Sequence, residues 1–291
     1  MTALEGLRVL DMTQYEAGTS CTQALAFMGA DVVKVERPGT GDPGRGVGPG
    51  GGNSEYFVMW NSNKRSITLA LDTLEGRQTL LDMLPKYDVF VENYGPGVVE
   101  KLNIDYEVMR EVHPSIIYAR IKGFGTSGPY SSYKCFDMVA QAASGAFSIT
   151  GYPDGPPMRP GPTIGDAGTG VQAALAVTAA YVQKLKTGKG QLIEVAMQEA
   201  MTYYLRTAMA GSAGGQSLVG RQGNGAGASM CLYPSAGGGP NDHVYVMAVT
   251  ERMWQDLMRA IGRADVLTDE RFADPRGRFE HADELKAIVG A

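Results

Sequence analysis

The chain has 291 residues, 44% of them hydrophobic and 20% charged, with a formal net charge of −5. That is ample apolar material for a sizeable core in one or two domains, and it excludes wholesale disorder. The balance is not basic, so nothing points to nucleic acid as a partner.

In chain order, Leu7–Met12 (LRVLDM) reads as a short buried strand, Thr19–Met28 as a helix and Asp31–Val35 as a second strand. Strand, helix, strand within so short a span is a βαβ unit. Thr73–Leu84 is a further helix, followed by the strand Asp88–Glu92, the helix Tyr106–Val112 and the strand Ser115–Ile121. This alternation predicts a parallel sheet with helices on both faces. From about residue 165 the texture changes. Gly168–Lys186 is a long alanine-rich helix closed by KTGKG, Gln191–Ala196 a strand and Gln198–Met209 another helix. The strand His243–Val249 and the amphipathic helix Glu251–Ile261 follow, and the last residues are still helix-like, which hints at truncation.

The three cysteines, Cys21, Cys135 and Cys231, form no zinc or redox spacing, and the opening residues show no signal peptide. The longest strongly apolar stretch, Ala173–Val182, is about half the ~20 residues of a membrane span. The expectation is a cytoplasmic protein that neither crosses a membrane nor binds one. Glycine is in excess, 39 residues, clustered at 44–52, 211–227 and 237–239. Such clusters are either plain linkers or places where backbone comes close to a ligand. The loop after the first strand, TQYEAGTS, has one glycine, so the dinucleotide fingerprint is missing and no nicotinamide cofactor is expected.

Asp166 stands in PTIGDAGTGV, just ahead of the long helix. It can be an ordinary helix cap. Alternatively it is a nucleophilic carboxylate, kept ionised by the backbone N–H groups of a helix start and reachable because its neighbours are glycines. The histidines, His113, His243 and His281, fit no hydrolase or metalloprotease motif, and no metal cluster is visible. Arg37, Lys64 and Arg65 lie beside strand ends, where a phosphate contact and a plain solvated charge are both open readings.

Several long runs resemble class III CoA-transferases. They are LEGLRVLDMTQYEAGTSCTQALAFMGADVVKVERPGTGD, NSNKRSITLAL, VFVENYGPG, YARIKGFGTSGPY and FDMVAQAASGAFSITGYPDGPPMRPGPTIGDAGTGVQAALAVTAAY. The likeness extends from about residue 4 to 275 and is nearest to the formyl-CoA:oxalate branch of the family. It implies a Rossmann-like large domain with a smaller α/β domain, an interlocked homodimer, and acyl-CoA and carboxylic acids as substrates. Residues 1–190 would be the large domain with the CoA loops, 191–225 a linker helix and glycine-rich loop, and 226–291 an incomplete small domain. By the same resemblance Asp166 is the nucleophile, and Gly225 and Gly227 belong to a mobile loop over it. Coenzyme A would lie against Glu16, Ala17, Arg37, Leu71, Asp72, Thr73, Leu74, Asn93, Tyr94, Gly95 and Lys101, and against Lys134, Cys135, Phe136 and Asp137. No metal is implied.

The chain departs from the formyl-CoA enzymes at Phe136 (tyrosine there) and Asp137 (glutamate there), has fewer consecutive glycines in GNGAGAS, and has no tryptophan in 40–52. These departures bear on the choice of acid. The related α-methylacyl-CoA racemases pair the same aspartate with a histidine where this chain has Lys134-Cys135-Phe136-Asp137. A racemase and a non-catalytic CoA-binding subunit are therefore the rival readings.

Overall fold

The structure is a computed structural model and describes residues 2–49 and 53–291. The last three residues of the first glycine cluster lie outside that range. The chain forms two compact units, residues 1–146 with 159–217, and residues 147–158 with 218–291. These boundaries differ from the segmentation at 190 and 225: the stretch 191–217 packs with the first unit, and 147–158 joins the second.

The first unit contains, in order, β1 (Arg8–Met12), α1 (Ala17–Phe27), β2 (Asp31–Glu36), α2 (Glu55–Asn61), β3 (Arg65–Thr68) and α3 (Leu74–Met83). Then come β4 (Val89–Glu92), α4 (Val98–Lys101), α5 (Tyr106–Val112), β5 (Ile117–Lys122) and α6 (Asp137–Ser144). The long α7 (Thr169–Thr187), β6 (Gln191–Ala196), α8 (Met197–Tyr204) and α9 (Arg206–Ala210) complete it. The six strands make one sheet in the order β3-β2-β1-β4-β5-β6, and every pairing is parallel. The parallel sheet is the one anticipated from the βαβ alternation, and its strand order is the doubly wound one.

Because side chains alternate across a strand, each strand feeds two cores. Val9, Val32, Val91 and Ile117 pack with Cys21 and Leu25 of α1 and with Ala173 and Val177 of α7. Leu10, Val33, Phe90 and Tyr118 pack on the opposite face with Leu80, Ile104 and Met109. The alanines and Gly170 of α7 let it come close to α1. A Cβ on Gly170 would sit 1.9 Å from Ser20 Oγ and 2.6 Å from the Ala17 carbonyl oxygen. The predicted helix 198–209 is two helices, since the backbone at Leu205 turns aside with φ −91° and ψ 0°.

The second unit has the antiparallel pair β7 (Met230–Pro234) and β8 (His243–Met247), then α10 (Glu251–Ala260), α11 (Pro275–Glu280) and α12 (Ala282–Val289). Thr250 caps α10 by accepting the Met253 amide at 3.2 Å. The helix turns Trp254 and Met258 inward against Val266, Phe272 and Leu285. Arg221 donates to the carbonyls of Tyr152 at 3.0 Å and Gly155 at 2.6 Å, fastening the two chain segments of this unit together.

Candidate active site

In a doubly wound sheet the connections after neighbouring strands diverge where the strand order reverses, leaving a crevice at their carboxyl ends. Here that point lies between β1 and β4. The connection after β1 brings Gln14 and Tyr15, the one after β4 brings Asn93, Tyr94 and Gly95, and β5 ends at Lys122. Gln14 and Asn93 lock the two connections together: the Gln14 amide donates to Asn93 Oδ1 at 2.8 Å, and Asn93 Nδ2 donates to the Gln14 carbonyl at 2.9 Å. Tyr15 takes φ 57°, the left-handed region that a bulky side chain adopts only where its surroundings enforce it. Its amide donates to Asp42 Oδ1 at 3.1 Å and its ring meets Phe136 edge-on at 5.8 Å.

The resulting cavity has a volume of about 340 Å³. Of the residues predicted for the site, Ala17, Asn93, Tyr94, Gly95, Lys134, Cys135, Phe136 and Asp166 line it together. A second hollow of about 420 Å³ holds Arg37, Leu71 and Asp72 and shares Gln14 and Tyr94 with the first. Arg37 is largely exposed, 4.0 Å from Asp72. Thr73 caps α3 by accepting the Gly76 amide at 3.0 Å, and Leu74 and Lys101 are exposed outside both hollows. Gly225 and Gly227 belong to the second unit, in the loop before β7, where Gly227 has φ 99°.

Asp166 does not cap α7. It lies in a π-helical turn, Ile164–Gly168, two residues ahead of the N-cap Gly168, and no cap bond from its side chain is formed. Its own amide donates to Asp137 Oδ1 at 3.1 Å, and Gln141 Nε2 holds Asp137 Oδ2 at 2.7 Å. Glu16, the N-cap position of α1, accepts the Thr163 hydroxyl through Oε1 and the Tyr56 hydroxyl through Oε2 at 3.5 Å. Asp166, Asp137 and Glu16 are all buried, at 8%, 6% and 3% exposure.

Burial, with Glu16 and Asp137 as charged neighbours, pushes the Asp166 carboxyl up from 3.8 to about 7. The sequence reading had the helix start hold it ionised; here burial and the two acidic neighbours outweigh that field. Burial also raises Glu16, an effect that the Thr163 hydrogen bond opposes. The Cys135 thiol is pushed up to about 11 by burial and by the neighbouring Asp166 and Asp137. Lys122 Nζ lies 2.8 Å from Glu92 Oε1 and donates to the Tyr94 carbonyl at 2.8 Å, which pins the end of β5 to the β4 connection.

Below the floor of the crevice a charged cluster fixes the base of the first connection. Lys64 Nζ contacts Asp11 Oδ2 at 3.0 Å and donates to the Thr19 carbonyl at 3.0 Å. Lys34 Nζ contacts Asp42 Oδ2 at 2.8 Å. Lys64 thus serves the fold here, as a buried partner of Asp11, and Arg65 pairs with Asp31 at 2.6 Å on the surface. Sequence reasoning missed Tyr15, Lys122, Tyr56, Thr163 and Gln141. Among the described residues no group of three or more histidine, cysteine or acidic side chains is arranged to hold a metal ion, and no helix is long and apolar enough to cross a membrane.

The sequence profile of CoA-transferase family III matches residues 4–291, and the chain belongs to that family. It is 41% identical to the formyl-CoA:oxalate CoA-transferase of Streptomyces avermitilis, over 99% of this chain and 74% of the relative. Identity to the protein of that name from Rhodopseudomonas palustris is 38%, over 99% and 72%. Among solved structures, a CAIB/BAIF family protein from Brucella suis superposes with a TM-score of 0.86 at 31% identity, over 99% of this chain and 77% of that one. The class read from the sequence runs is thus the class the comparisons give: a CoA-transferase, with coenzyme A as co-substrate and acyl-CoA and carboxylates as its substrates.

Proposed function

We propose that Asp166 is the nucleophile that carries coenzyme A from one carboxylic acid to another. The observation that supports this best is a buried carboxyl on the wall of the cavity, with no hydrogen bond to its side chain among the described residues and a pKa near 7. A carboxylate free of partners keeps its lone pairs for attack, and a pKa near the working pH makes it both available and reactive.

The steps follow from the chemistry. The Asp166 carboxylate attacks the thioester carbonyl of the donor, the C–S bond breaks, and CoA thiolate leaves a mixed anhydride behind. The thiolate then attacks the Asp166 carbonyl carbon, expelling the donor carboxylate and forming an aspartyl-CoA thioester. The acceptor carboxylate attacks that carbon and releases the thiolate, giving a second anhydride. Attack of the thiolate on the acceptor's acyl carbon yields the new acyl-CoA and restores Asp166. The apolar walls at Ala17, Phe136 and Met197 disfavour water, which would hydrolyse either intermediate.

In this reading coenzyme A runs from the hollow at Arg37, Leu71 and Asp72, past Gln14 and Tyr94, to Asp166. Thr73, Leu74 and Lys101 lie outside the hollows and Lys134 on the cavity wall. Exposed apolar residues on α7, Val171, Leu175, Val182 and Leu185, support assembly as a homodimer, which sedimentation tests directly. The racemase alternative asks Cys135 to act as a base, and a thiol held near 11 is protonated at neutral pH.

The test is the intact mass of the protein after incubation with a panel of acyl-CoAs. The names of the relatives put formyl-CoA, with oxalate as acceptor, first in that panel. A CoA adduct that hydroxylamine removes, and that Asp166→Asn does not form, is the expected result. Turnover by Asp166→Asn at the wild-type rate overturns the assignment.

A further inference from the structure

We infer that Glu16 is a positioning residue: through Thr163 it couples the connection that lines the substrate cavity to the turn that presents Asp166. This rests on Asp166 being the nucleophile.

Glu16 sits between two residues of the cavity wall, Tyr15 and Ala17, yet is not on the wall itself. Its side chain is buried and reaches the Thr163 hydroxyl. Thr163 is the N-cap position of the π turn, three residues before Asp166, and its carbonyl accepts the Ala167 amide at 2.8 Å. The turn therefore has two tethers. Asp137 holds the Asp166 amide from α6, and Glu16 holds Thr163 from the first connection. Both tethers continue into backbone that lines the cavity, since Asp137 follows Phe136 and Glu16 lies between Tyr15 and Ala17, but only the second ends on a side-chain hydroxyl that can be removed without touching the Asp166 amide. The left-handed backbone at Tyr15 sets up this division, with the Tyr15 ring against Phe136 in the cavity and the next side chain directed into the protein. A ligand that settles against Tyr15 and Ala17 thereby bears on the alignment of Asp166.

Glu16 also brings charge to the nucleophile. The groups facing this cluster are Tyr56 from α2, Asp137 from α6 and Asp166 itself, with Asp42 beyond Tyr56. Lys122, Lys134 and Cys135 line the adjoining cavity, Tyr204 of α8 donates to the Gly168 carbonyl, and Glu199 of the same helix is exposed. A glutamine at 16 keeps an acceptor for Thr163 and removes the charge. A valine at 163 keeps the charge and removes the tether.

Single-turnover formation of the aspartyl-CoA adduct is measured against pH for wild type, Glu16→Gln, Glu16→Ala and Thr163→Val, with CoA affinity measured alongside. Glu16→Ala and Thr163→Val are expected to slow adduct formation on the order of ten- to a hundredfold at unchanged CoA affinity. Glu16→Gln is expected to keep most of the rate and to reach half-maximal rate at lower pH than wild type, while Thr163→Val keeps the wild-type midpoint. Equal loss of rate in Glu16→Gln and Glu16→Ala overturns the tether, and so does a wild-type rate in Thr163→Val. Thr163→Val, nearly isosteric, carries the test if Glu16→Ala does not fold. Absence of any adduct in wild type overturns the nucleophile assignment instead, so the two failures are distinct.

Discussion

Asp137 Oδ1 accepts the backbone amide of Asp166 at 3.1 Å, so the carboxylate that crowds the Asp166 charge also fixes the Asp166 backbone. One residue raises the cost of ionising Asp166 and at the same time prevents the turn from relaxing to relieve it. Gln141 completes the arrangement by holding the other oxygen of Asp137 at 2.7 Å.

Asp166→Asn is expected to stabilise the protein in a pH-dependent manner. The folded-state pKa of about 7 is above the ordinary 3.8, so the native state binds more protons than the unfolded chain between these values. Wild-type stability therefore falls as pH rises through that window, by at most about 4 kcal/mol, and the asparagine variant is spared that loss. Urea unfolding at pH 4 and pH 8 checks it. A stability difference that does not grow with pH would show that Asp166 titrates normally.

Arg37→Ala is expected to weaken CoA binding by roughly 1.5–3 kcal/mol while leaving adduct formation at saturation nearly unchanged. Arg37 lines the second hollow, is largely exposed, and among the described residues pairs with a distant Asp72 at 4.0 Å, so its guanidinium is available to a phosphate. Calorimetric titration with coenzyme A measures this, and unchanged affinity would reduce Arg37 to a surface charge.

Lys64→Met is expected to cost about 3–5 kcal/mol of stability, because it leaves Asp11 buried without its nearest cation. Burial acts to raise the Asp11 carboxyl, but Lys64, Lys34, Thr13 and Thr22 together bring it down to about 2. The stability that Asp11 contributes is present above about 4 and is lost as pH falls toward 2, so the variant should lose its margin at higher pH than wild type. Thermal melts across pH 3 to 7 would show whether it does.

Gly170→Ala is expected to destabilise by about 1–3 kcal/mol, since the new methyl group meets backbone of α1 that cannot swing away. The same displacement moves the start of α7, so adduct formation should fall more steeply than the melting temperature suggests. Gly188→Ala is the control: it strains a left-handed cap at φ 72° on the far end of α7 but meets no atom within 4 Å.

Much of the sheet could be read from the residues because strands covered on both faces leave short, mostly apolar runs, as in the VFV of β4. Asp166 stood out through its glycine neighbours and its family runs. Helix α6 did not, because Phe136 at its N-cap forms no side-chain cap bond. Helix α2 was equally hidden: Val58 and Met59 are exposed while Phe57 is buried, so no helical stripe marks it. Thr163 and Tyr56 were beyond reach for a different reason. Their bonds to Glu16 cross 147 and 40 residues, and such partners are chosen by the fold. The direction of the Asp166 shift was missed similarly, since a helix start is local and visible whereas burial and acidic neighbours are tertiary.

The route of the chain has a kinetic consequence. Residues 147–158 leave the first unit, residues 159–217 return to it, and only then does the remainder meet that early segment, through Arg221 and the carbonyls of Tyr152 and Gly155. The clasp closes a loop of 66 to 69 residues, and closing so long a loop is entropically unfavourable while its interior is still unstructured. The interior of that loop holds the Asp166 turn, all of α7 and the edge strand β6. Ordering of the surroundings of Asp166 is therefore expected to precede completion of the second unit, and variants that loosen α7 should delay the later event as well as the earlier one in a refolding experiment.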